Sequence, residues 1–184
     1  IETVTIEGTL STASVSVSDD GSVAVEPEGG ETMTFTGVEF LEFEDGMLAM
    51  DVPGSGVREV AQGYLGGLGR EPDAPGLQFW VGRIASGEST LDDFYEAIFG
   101  STEFQQTFGP DEDPGAFVGR MYGIMYGRDG DEAGQGFWEN ALRSEAVDEV
   151  GVFRAFASSA EFDVLTDDLF ENGLVMPSDD TDLG

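Results

Sequence analysis

The chain repeats one phrase at a fixed interval. The segment GREPDAPGLQFW begins at Gly69 and GRDGDEAGQGFW begins at Gly127, which gives an offset of 58 residues (127 − 69). Without a gap, the same offset superposes further pairs: Tyr64 on Tyr122, Arg70 on Arg128, Ser101 on Ser159 and Glu103 on Glu161. A reactive loop has to be present only once, whereas the corner of a folding unit is present in every unit. The repeat therefore predicts two copies of one structural unit.

Apolar residues recur at intervals of three and four in both copies. One such face comprises Leu77, Trp80, Val81 and Ile84, and its counterpart comprises Phe137, Trp138, Ala141 and Leu142. This period is typical of amphipathic helices. The segment GPDEDPG at 109–115 divides the copies, because its prolines and glycines end one helix and start another. We predict a helical module over 56–176, with the first copy at about 57–108 and the second copy at about 115–171.

The repeated polar residues are predicted to cap helices. Asp73 and Asp131 precede the apolar stretches, where a short carboxylate accepts hydrogen bonds from the free amides of a starting helix. Ser101 and Ser159 stand in the same relation to a later helix. Pro75 fits the first turn, because an early helical position loses no hydrogen bond to proline.

The other repeated residues are predicted to hold the corner together. Each Arg lies close enough to the capping Asp for its guanidinium to fold back onto the cap or onto helix carbonyls. The Trp residues anchor each copy in its core, and the glycines one turn into the helix allow a neighbouring group to approach closely. The predicted structural motif is Arg70, Asp73, Gly76, Trp80 and Ser101 in the first copy, and Arg128, Asp131, Gly134, Trp138 and Ser159 in the second.

The amino-terminal part has a period of two instead. In STASVSVS, at 11–18, apolar residues alternate with serines, which is typical of half-buried strands. Asp20-Gly21 is a hairpin signal, because Gly takes the positive φ that such a turn requires. We predict an antiparallel β meander of about five or six strands over 1–52, so the fold class is α+β. The acidic tail at 177–184 has little to bury and is predicted to be loose.

Composition limits the partners. The chain has 38 acidic residues against seven Arg, no Lys, His or Cys, and a formal net charge of −31. Such a surface repels phosphate, so neither nucleic acid nor an anionic membrane surface is an expected partner. Apolar runs are shorter than the roughly 20 residues that cross a bilayer, so membrane insertion is not expected either. An export signal is expected elsewhere, at the carboxyl end or upstream.

The first copy resembles a known family. The segment YLGGLGREPDAPGLQFWVGRIASGESTLDDFYEAIFGSTEF, at 64–104, is similar to the family catalogued as domain of unknown function 4214, with its LGR-PD-G-W core and closing S-E-F. The second copy departs from this pattern at Gly130, where the family has Pro, and at 145–150, which lacks a G-x-S helix start. The resemblance implies a helical module of a bacterial secreted or surface protein with no agreed activity.

The strand segment carries a second resemblance. TMTFTGVEFLEFEDGMLAMDV, at 32–52, is similar to segments that flank RTX-type calcium-binding rolls in secreted proteins. The glycine-aspartate nonapeptide of those rolls does not occur in this sequence. Both resemblances imply an extracellular or cell-surface location in bacteria.

Calcium is one possible ligand. Carboxylates supply the oxygens that calcium prefers, but no acidic cluster here has EF-hand spacing, and solvated turns or caps are the alternative. The best predicted site is Asp129, Asp131 and Glu132. The other acidic clusters are Asp19 with Asp20, Asp111 to Asp113, and Asp179 to Asp182.

A glycan is the other possible ligand. Tyr64, Tyr122 and Tyr126 recur beside carboxylates and Arg and would stack on a sugar face if exposed, although aromatic residues at helical spacing usually belong to a core. A glycosidase would need two carboxylates, for which Glu42 and Glu44 on one strand face are candidates. Without His, Lys or Cys most general bases and nucleophiles are missing, so an enzyme is not predicted.

The predicted function is a non-enzymatic extracellular structural or assembly module of a bacterial secreted or surface protein. It would act through protein–protein packing, with self-association through the β segment, whose open edges need cover. The alternative is a calcium-dependent or glycan-binding adhesin module that attaches a cell or particle to a surface.

Overall fold

A computed structural model describes residues 1–18, 20–109 and 113–177. The strands of these residues are β1 (Thr3–Thr5), β2 (Ser14–Val17), β3 (Ser22–Glu26), β4 (Met33–Thr36), β5 (Phe40–Phe43), β6 (Gly46–Ala49) and β7 (Leu174–Pro177). The helices are α1 (Val57–Leu68), α2 (Ala74–Ser86), α3 (Leu91–Phe99), α4 (Thr102–Phe108), α5 (Pro114–Tyr126), α6 (Glu132–Arg143), α7 (Glu149–Ala157) and α8 (Ala160–Thr166). Within these ranges no helix is both long and apolar enough to cross a membrane.

The strands form two sheets. β2, β3 and β4 form an antiparallel meander, in which Val23 lies opposite Val17 on one side and Phe35 on the other. The predicted hairpin after β2 is present, with Gly21 at φ 78°. The other sheet has the order β1-β5-β6-β7, and its β5, β6 and β7 are antiparallel. The predicted α+β class, with antiparallel strands first and helices after them, is confirmed.

Two strands differ from the predicted meander. β1 pairs with β5 in parallel, with Thr3 opposite Phe40, because the chain forms the other sheet before it returns to β1. β7 comes from residues assigned to the helical module and the tail, and it pairs with β6, with Val175 opposite Leu48. A four-residue strand is too short for its alternation to be distinguished from a helical pattern. Residues 178–184 of the predicted tail lie outside the described part of the chain.

The strand period of two produces one core. In β3, Val23 and Val25 are buried, and Ala24 between them is half-buried. The cluster to which they belong also contains buried residues from the loops and from β5 and β6: Ile6, Val38, Leu41, Phe43, Leu48 and Met50. Side chains of both sheets therefore contribute to a single apolar cluster.

The chain divides into two compact units whose boundaries differ from the predicted domains. Unit 1 contains 1–58, 72–88 and the chain from 167 onward, and unit 2 contains 59–71 and 89–166. α2 therefore belongs to unit 1, where Gln78 Nε2 lies 3.1 Å from Met47 Sδ in β6. Its counterpart α6 belongs to unit 2. Sequence periodicity identified the helices but could not show that one of them groups with the strands.

The repeat extends to the helix boundaries. α3 and α7 begin 58 residues apart (149 − 91), as do α4 and α8 (160 − 102) and α2 and α6 (132 − 74). Among the described residues, each copy thus has four helices. The core of unit 2 is rich in aromatic side chains. It includes Phe94, Phe104, Phe153 and Phe156, which are all at most 2% exposed.

Candidate functional site

Each copy contains an Arg–Glu pair at the corner between its first two helices. Arg70 donates from Nε to Glu103 Oε1 at 2.6 Å and from Nη2 to Oε2 at 3.1 Å. Arg128 makes the same two hydrogen bonds to Glu161, at 2.6 and 2.7 Å. This bidentate geometry fixes the guanidinium plane as well as its position. The pair therefore ties the corner after the first helix to the start of the fourth.

An aromatic ring completes each pair. The guanidinium carbon of Arg70 lies 5.4 Å from the ring centroid of Tyr64, and that of Arg128 lies 5.0 Å from the ring of Tyr122. These distances are typical of cation–π contacts. We call Tyr64, Arg70 and Glu103 the first corner cluster, and Tyr122, Arg128 and Glu161 the second.

The predicted helix caps are confirmed in both copies. Asp73 accepts a hydrogen bond from the Gly76 amide at 2.7 Å, and Asp131 accepts one from Gly134 at 2.8 Å. Ser101 Oγ likewise accepts from the Phe104 amide at 3.1 Å. In the second copy Ser159 Oγ accepts from Phe162 at 3.0 Å. These repeated side chains serve helix starts.

The corner lowers carboxyl pKa values. The hydrogen bond from Arg70 holds the pKa of Glu103 below its usual value, and Arg128 does the same to Glu161. The backbone amide of Gly134 lowers the pKa of Asp131. All three groups are thus held in the charged form, which suits a cap or an ion pair and is the opposite of what a general acid requires.

The predicted close approach of a neighbouring group at Gly134 is confirmed. A Cβ at this position would lie 2.4 Å from the hydroxyl oxygen of Tyr122. A Cβ at Gly130 would lie 2.6 Å from the same ring. Tyr122 of the second corner cluster thus packs closely against the backbone at Gly130 and Gly134.

The glycan prediction at Tyr64 and Tyr122 is wrong. The two residues are only 8% and 6% exposed, because the Arg of each corner cluster and core aromatic rings cover them. Tyr126 is half-buried, donates to the Phe156 carbonyl at 3.2 Å and lies 2.8 Å from Ser159 Oγ. None of the three offers a free ring face, since rings at helical spacing here belong to the core.

The acidic loop at 129–132 is occupied by structural roles. Asp131 caps α6, the Asp129 carbonyl accepts from Arg128 at 2.9 Å, and Glu132 begins α6. Within 1–18, 20–109 and 113–177, no three carboxylates come together as a metal-binding group. Calcium binding by these residues stays a prediction. Asp19, Asp111 to Glu112 and Asp179 to Asp182 lie outside the described residues.

Sequence comparison identifies the helical module. The family described as Domain of unknown function (DUF4214) matches residues 59–108 and 95–166. The two matches together span 59–166, which is 108 of the 184 residues. The chain belongs to the DUF4214 family. No curated protein matches it. The match does not reach the strand segment, so the resemblance of 32–52 to RTX-flanking segments stays a prediction.

In this DUF4214 chain the sequence motif does not identify the acidic residues that pair with its two Arg residues. Glu103 and Glu161 were recognised as repeated residues but not as partners of Arg70 and Arg128. The available signal was spacing, because each Glu follows its Arg by 33 residues (103 − 70 and 161 − 128). Each guanidinium therefore binds the Glu of this later helix, and its position does not depend on the helix cap alone.

One repeated aromatic pair in the DUF4214 copies faces solvent. Phe79 and Phe137, at equivalent positions, are 55% and 63% exposed. Each packs edge to face on the following Trp, with ring centroids 5.4 Å apart for Trp80 and 5.0 Å for Trp138. The Trp138 ring also contacts buried Phe156 at 5.8 Å, which confirms its predicted role as an anchor in the second copy. Each Phe therefore extends an apolar surface beside its Trp, and in the second copy that Trp also contacts the core.

Proposed function

We propose that this chain is a non-enzymatic structural or assembly module of a bacterial secreted or surface protein, acting through protein–protein packing. The observation that carries the proposal is that the repeated residues make structural contacts. The corner clusters and the four caps direct their hydrogen bonds inside the fold, at equivalent places in both copies. A motif repeated for such contacts serves a rigid scaffold.

Surface chemistry supports a protein partner. Phe79 and Phe137 are exposed in both copies, and Val164 and Leu165 on α8 are 78% and 53% exposed. Aromatic residues are enriched at protein interfaces. The extracellular setting rests on the family resemblance noted above.

The sheet edge at β7 is the proposed surface for self-association. β7 is the last strand in the order β1-β5-β6-β7, and among the described residues it pairs with β6 alone. Beside it lies a groove of about 450 Å³ whose lining includes Leu10, Val15 and Val175. An incoming strand would extend the sheet through main-chain hydrogen bonds and place alternate side chains in such a groove.

Sedimentation velocity tests the proposal. The chain should form larger species as its concentration rises in 1 M NaCl, where screening removes most of the repulsion between like-charged copies. Val175→Lys places a charge on the edge strand and should abolish association. Val164→Lys, an apolar-to-Lys change at a more exposed position on α8 (78% against 52% for Val175), is the control and should leave it intact.

A monomer at every concentration in high salt would overturn self-association. The calcium-dependent adhesin would then be tested by thermal melting with chelator, calcium or magnesium at equal ionic strength. A saturable rise in melting temperature with calcium alone would favour the adhesin, since only a ligand that binds the folded state stabilises it in this way.

A further inference from the structure

The strand β2 is an open edge of the meander. It is the first strand in the order β2-β3-β4, and among the described residues it pairs with β3 alone. The Ser18 amide donates to the Ser22 carbonyl at 2.9 Å. Because hydrogen-bonded pairs alternate along an antiparallel ladder, Ser16 also directs its main-chain groups at β3. The amides and carbonyls of Val15 and Val17 therefore point away from β3, toward the open edge.

The apolar side chains at this edge are incompletely covered. Val23 and Val25 of the neighbouring strand β3 are at most 5% exposed. On β2, by contrast, Val15 is half-buried and Val17 is 37% exposed. Val175 of β7 lines the same groove as Val15 and is 52% exposed. The groove beside β7 thus has apolar side chains on both walls that solvent still reaches.

This edge carries no charge in a very acidic chain. Residues 9–18 contain no charged side chain, although the whole chain has 38 acidic residues and a formal net charge of −31. Charged side chains, above all Lys, are the usual protection of an edge strand against pairing with another chain. Two copies of this chain can therefore bring β2 to β2 without placing one carboxylate against another.

The sequence of β2 is self-complementary. In an antiparallel pair of two β2 strands with Ser16 on the two-fold axis, Val15 of each strand lies opposite Val17 of the other. These two residues carry the outward main-chain groups, so each Val15–Val17 pair exchanges both of its N–H···O bonds. Valine meets valine on the inner face and serine meets serine on the outer face, as favourable cross-strand pairing requires. The ladder ends within the uncharged residues 9–18 of both copies.

We propose that β2 of a second copy of this chain enters the groove beside β7 and pairs antiparallel with β2, around a two-fold axis at Ser16. The added strand extends the sheet β2-β3-β4 and covers Val175 of β7 with apolar side chains from the second copy. The same surface is used by both copies, so the contact closes at a dimer. The inference rests on the proposed self-association and names the strand that occupies its groove.

Disulfide cross-linking tests the register. The chain has no Cys, so a disulfide in a single-Cys variant joins two copies. Ser16→Cys places the Cys residues of the two copies at a non-hydrogen-bonded pair, with Cα atoms about 4.5 Å apart, and should give a covalent dimer in 1 M NaCl under oxidation. Ser14→Cys, equally on β2 and exposed, is the matched control. Its two copies lie four residues out of register, about 13 Å apart, and should not bridge. Equal cross-linking of both variants would reduce the contact to random collision and overturn the proposal.

Proline substitution separates this pairing from a contact at β7. Val17→Pro removes an amide that β3 does not use, so the chain should keep its fold, while dimerisation in 1 M NaCl should weaken about tenfold or more in sedimentation velocity. Thr34→Pro on β4 is the control, since by the same alternation it removes an outward amide at the opposite edge of the sheet and should leave dimerisation unchanged.

The outcomes distinguish this inference from the proposed function. If Val17→Pro associates as strongly as wild type and Val175→Lys does not associate, the β2 pairing is wrong and self-association through β7 stands. A chain that is monomeric at every concentration in 1 M NaCl, with no Ser16→Cys dimer, would overturn both. If Val17→Pro fails to fold, the contrast between Ser16→Cys and Ser14→Cys decides alone.

Discussion

Tyr95 and Phe153 occupy equivalent positions in the two helical copies, and their rings meet edge to face with centroids 5.4 Å apart. Contact between equivalent residues is what a two-fold-related interface produces at its axis. The flanking contacts are reciprocal: Gln62 on α1 donates to Asp163 and Thr166 on α8, while α4 of the first copy packs on α5 of the second. The helices of unit 2 therefore share one core, as the subunits of a small dimer would.

The corner clusters predict a stability difference that depends on pH. The pKa values of Glu103 and Glu161 are lowered in the folded state from 4.5. A lowered pKa contributes stability that is present above the unfolded value and is lost as pH falls through the folded one. Wild type should therefore melt above Glu103→Gln/Glu161→Gln at pH 6, by a few degrees at most because the pairs are exposed, and this gap should shrink as pH falls below 4.5.

Melting curves between pH 3 and pH 7 measure this difference. Glu28→Gln/Glu171→Gln is the control, since it removes two exposed carboxylates outside the clusters. A gap between wild type and the cluster variant that is unchanged at pH 3 would contradict the role of the Arg–Glu pairs.

The Gly134 contact predicts opposite effects of the same substitution on one helix. Gly134→Ala would place a Cβ 2.4 Å from the Tyr122 hydroxyl and should destabilise by about 1–3 kcal/mol through overpacking. Gly136→Ala meets nothing within 4 Å and should stabilise α6 by roughly 0.5–1 kcal/mol through helix propensity. Urea unfolding measures both values. Tyr122→Phe should recover part of the Gly134→Ala loss, and a loss of equal size with and without the hydroxyl would contradict the contact.

Local chemistry explains why the caps were predictable. Asp73 and Ser101 act on amides three residues away, so sequence alone contains both partners. Hairpin turns such as that at Gly21 are equally local. The pairing of Arg70 with Glu103 spans 33 residues and depends on how the helices fold back, which no single-helix pattern contains.

Long-range strand pairing was hidden for the same reason. The short strand β7 pairs with β6, which lies more than a hundred residues earlier in the chain. Nothing in the sequence of Leu174–Pro177 specifies this pairing. The Tyr64 and Tyr122 rings were interpretable as core or as surface from their spacing, and only the fold shows that they are buried.

Replacing Glu145 with Gly, the residue at the equivalent position of the first copy, is predicted to stabilise the protein. It has φ 57°, in the left-handed region, and the equivalent residue is Gly87 at φ 74° (145 − 87 = 58). A residue with a Cβ is strained there, so Glu145→Gly should stabilise by about 1 kcal/mol. The reciprocal Gly87→Glu should destabilise by a similar amount. Thermal melting of both variants checks this pair, and a loss on Glu145→Gly would mean that the Glu side chain stabilises more than its backbone strain costs.

The different surroundings of α2 and α6 predict unequal tolerance at equivalent positions. Leu77 on α2 is fully buried, whereas α6 carries half-buried Gln135 at the same place (135 − 77 = 58) and has no buried residue. Leu77→Gln should destabilise by at least about 3 kcal/mol, because it buries an amide in an apolar site. Gln135→Leu should change stability by no more than about 0.5 kcal/mol, as is usual away from a core. Urea unfolding of the two variants measures the contrast. Equal effects would mean that the copies have equivalent environments, and the grouping of α2 with the strands would then be wrong.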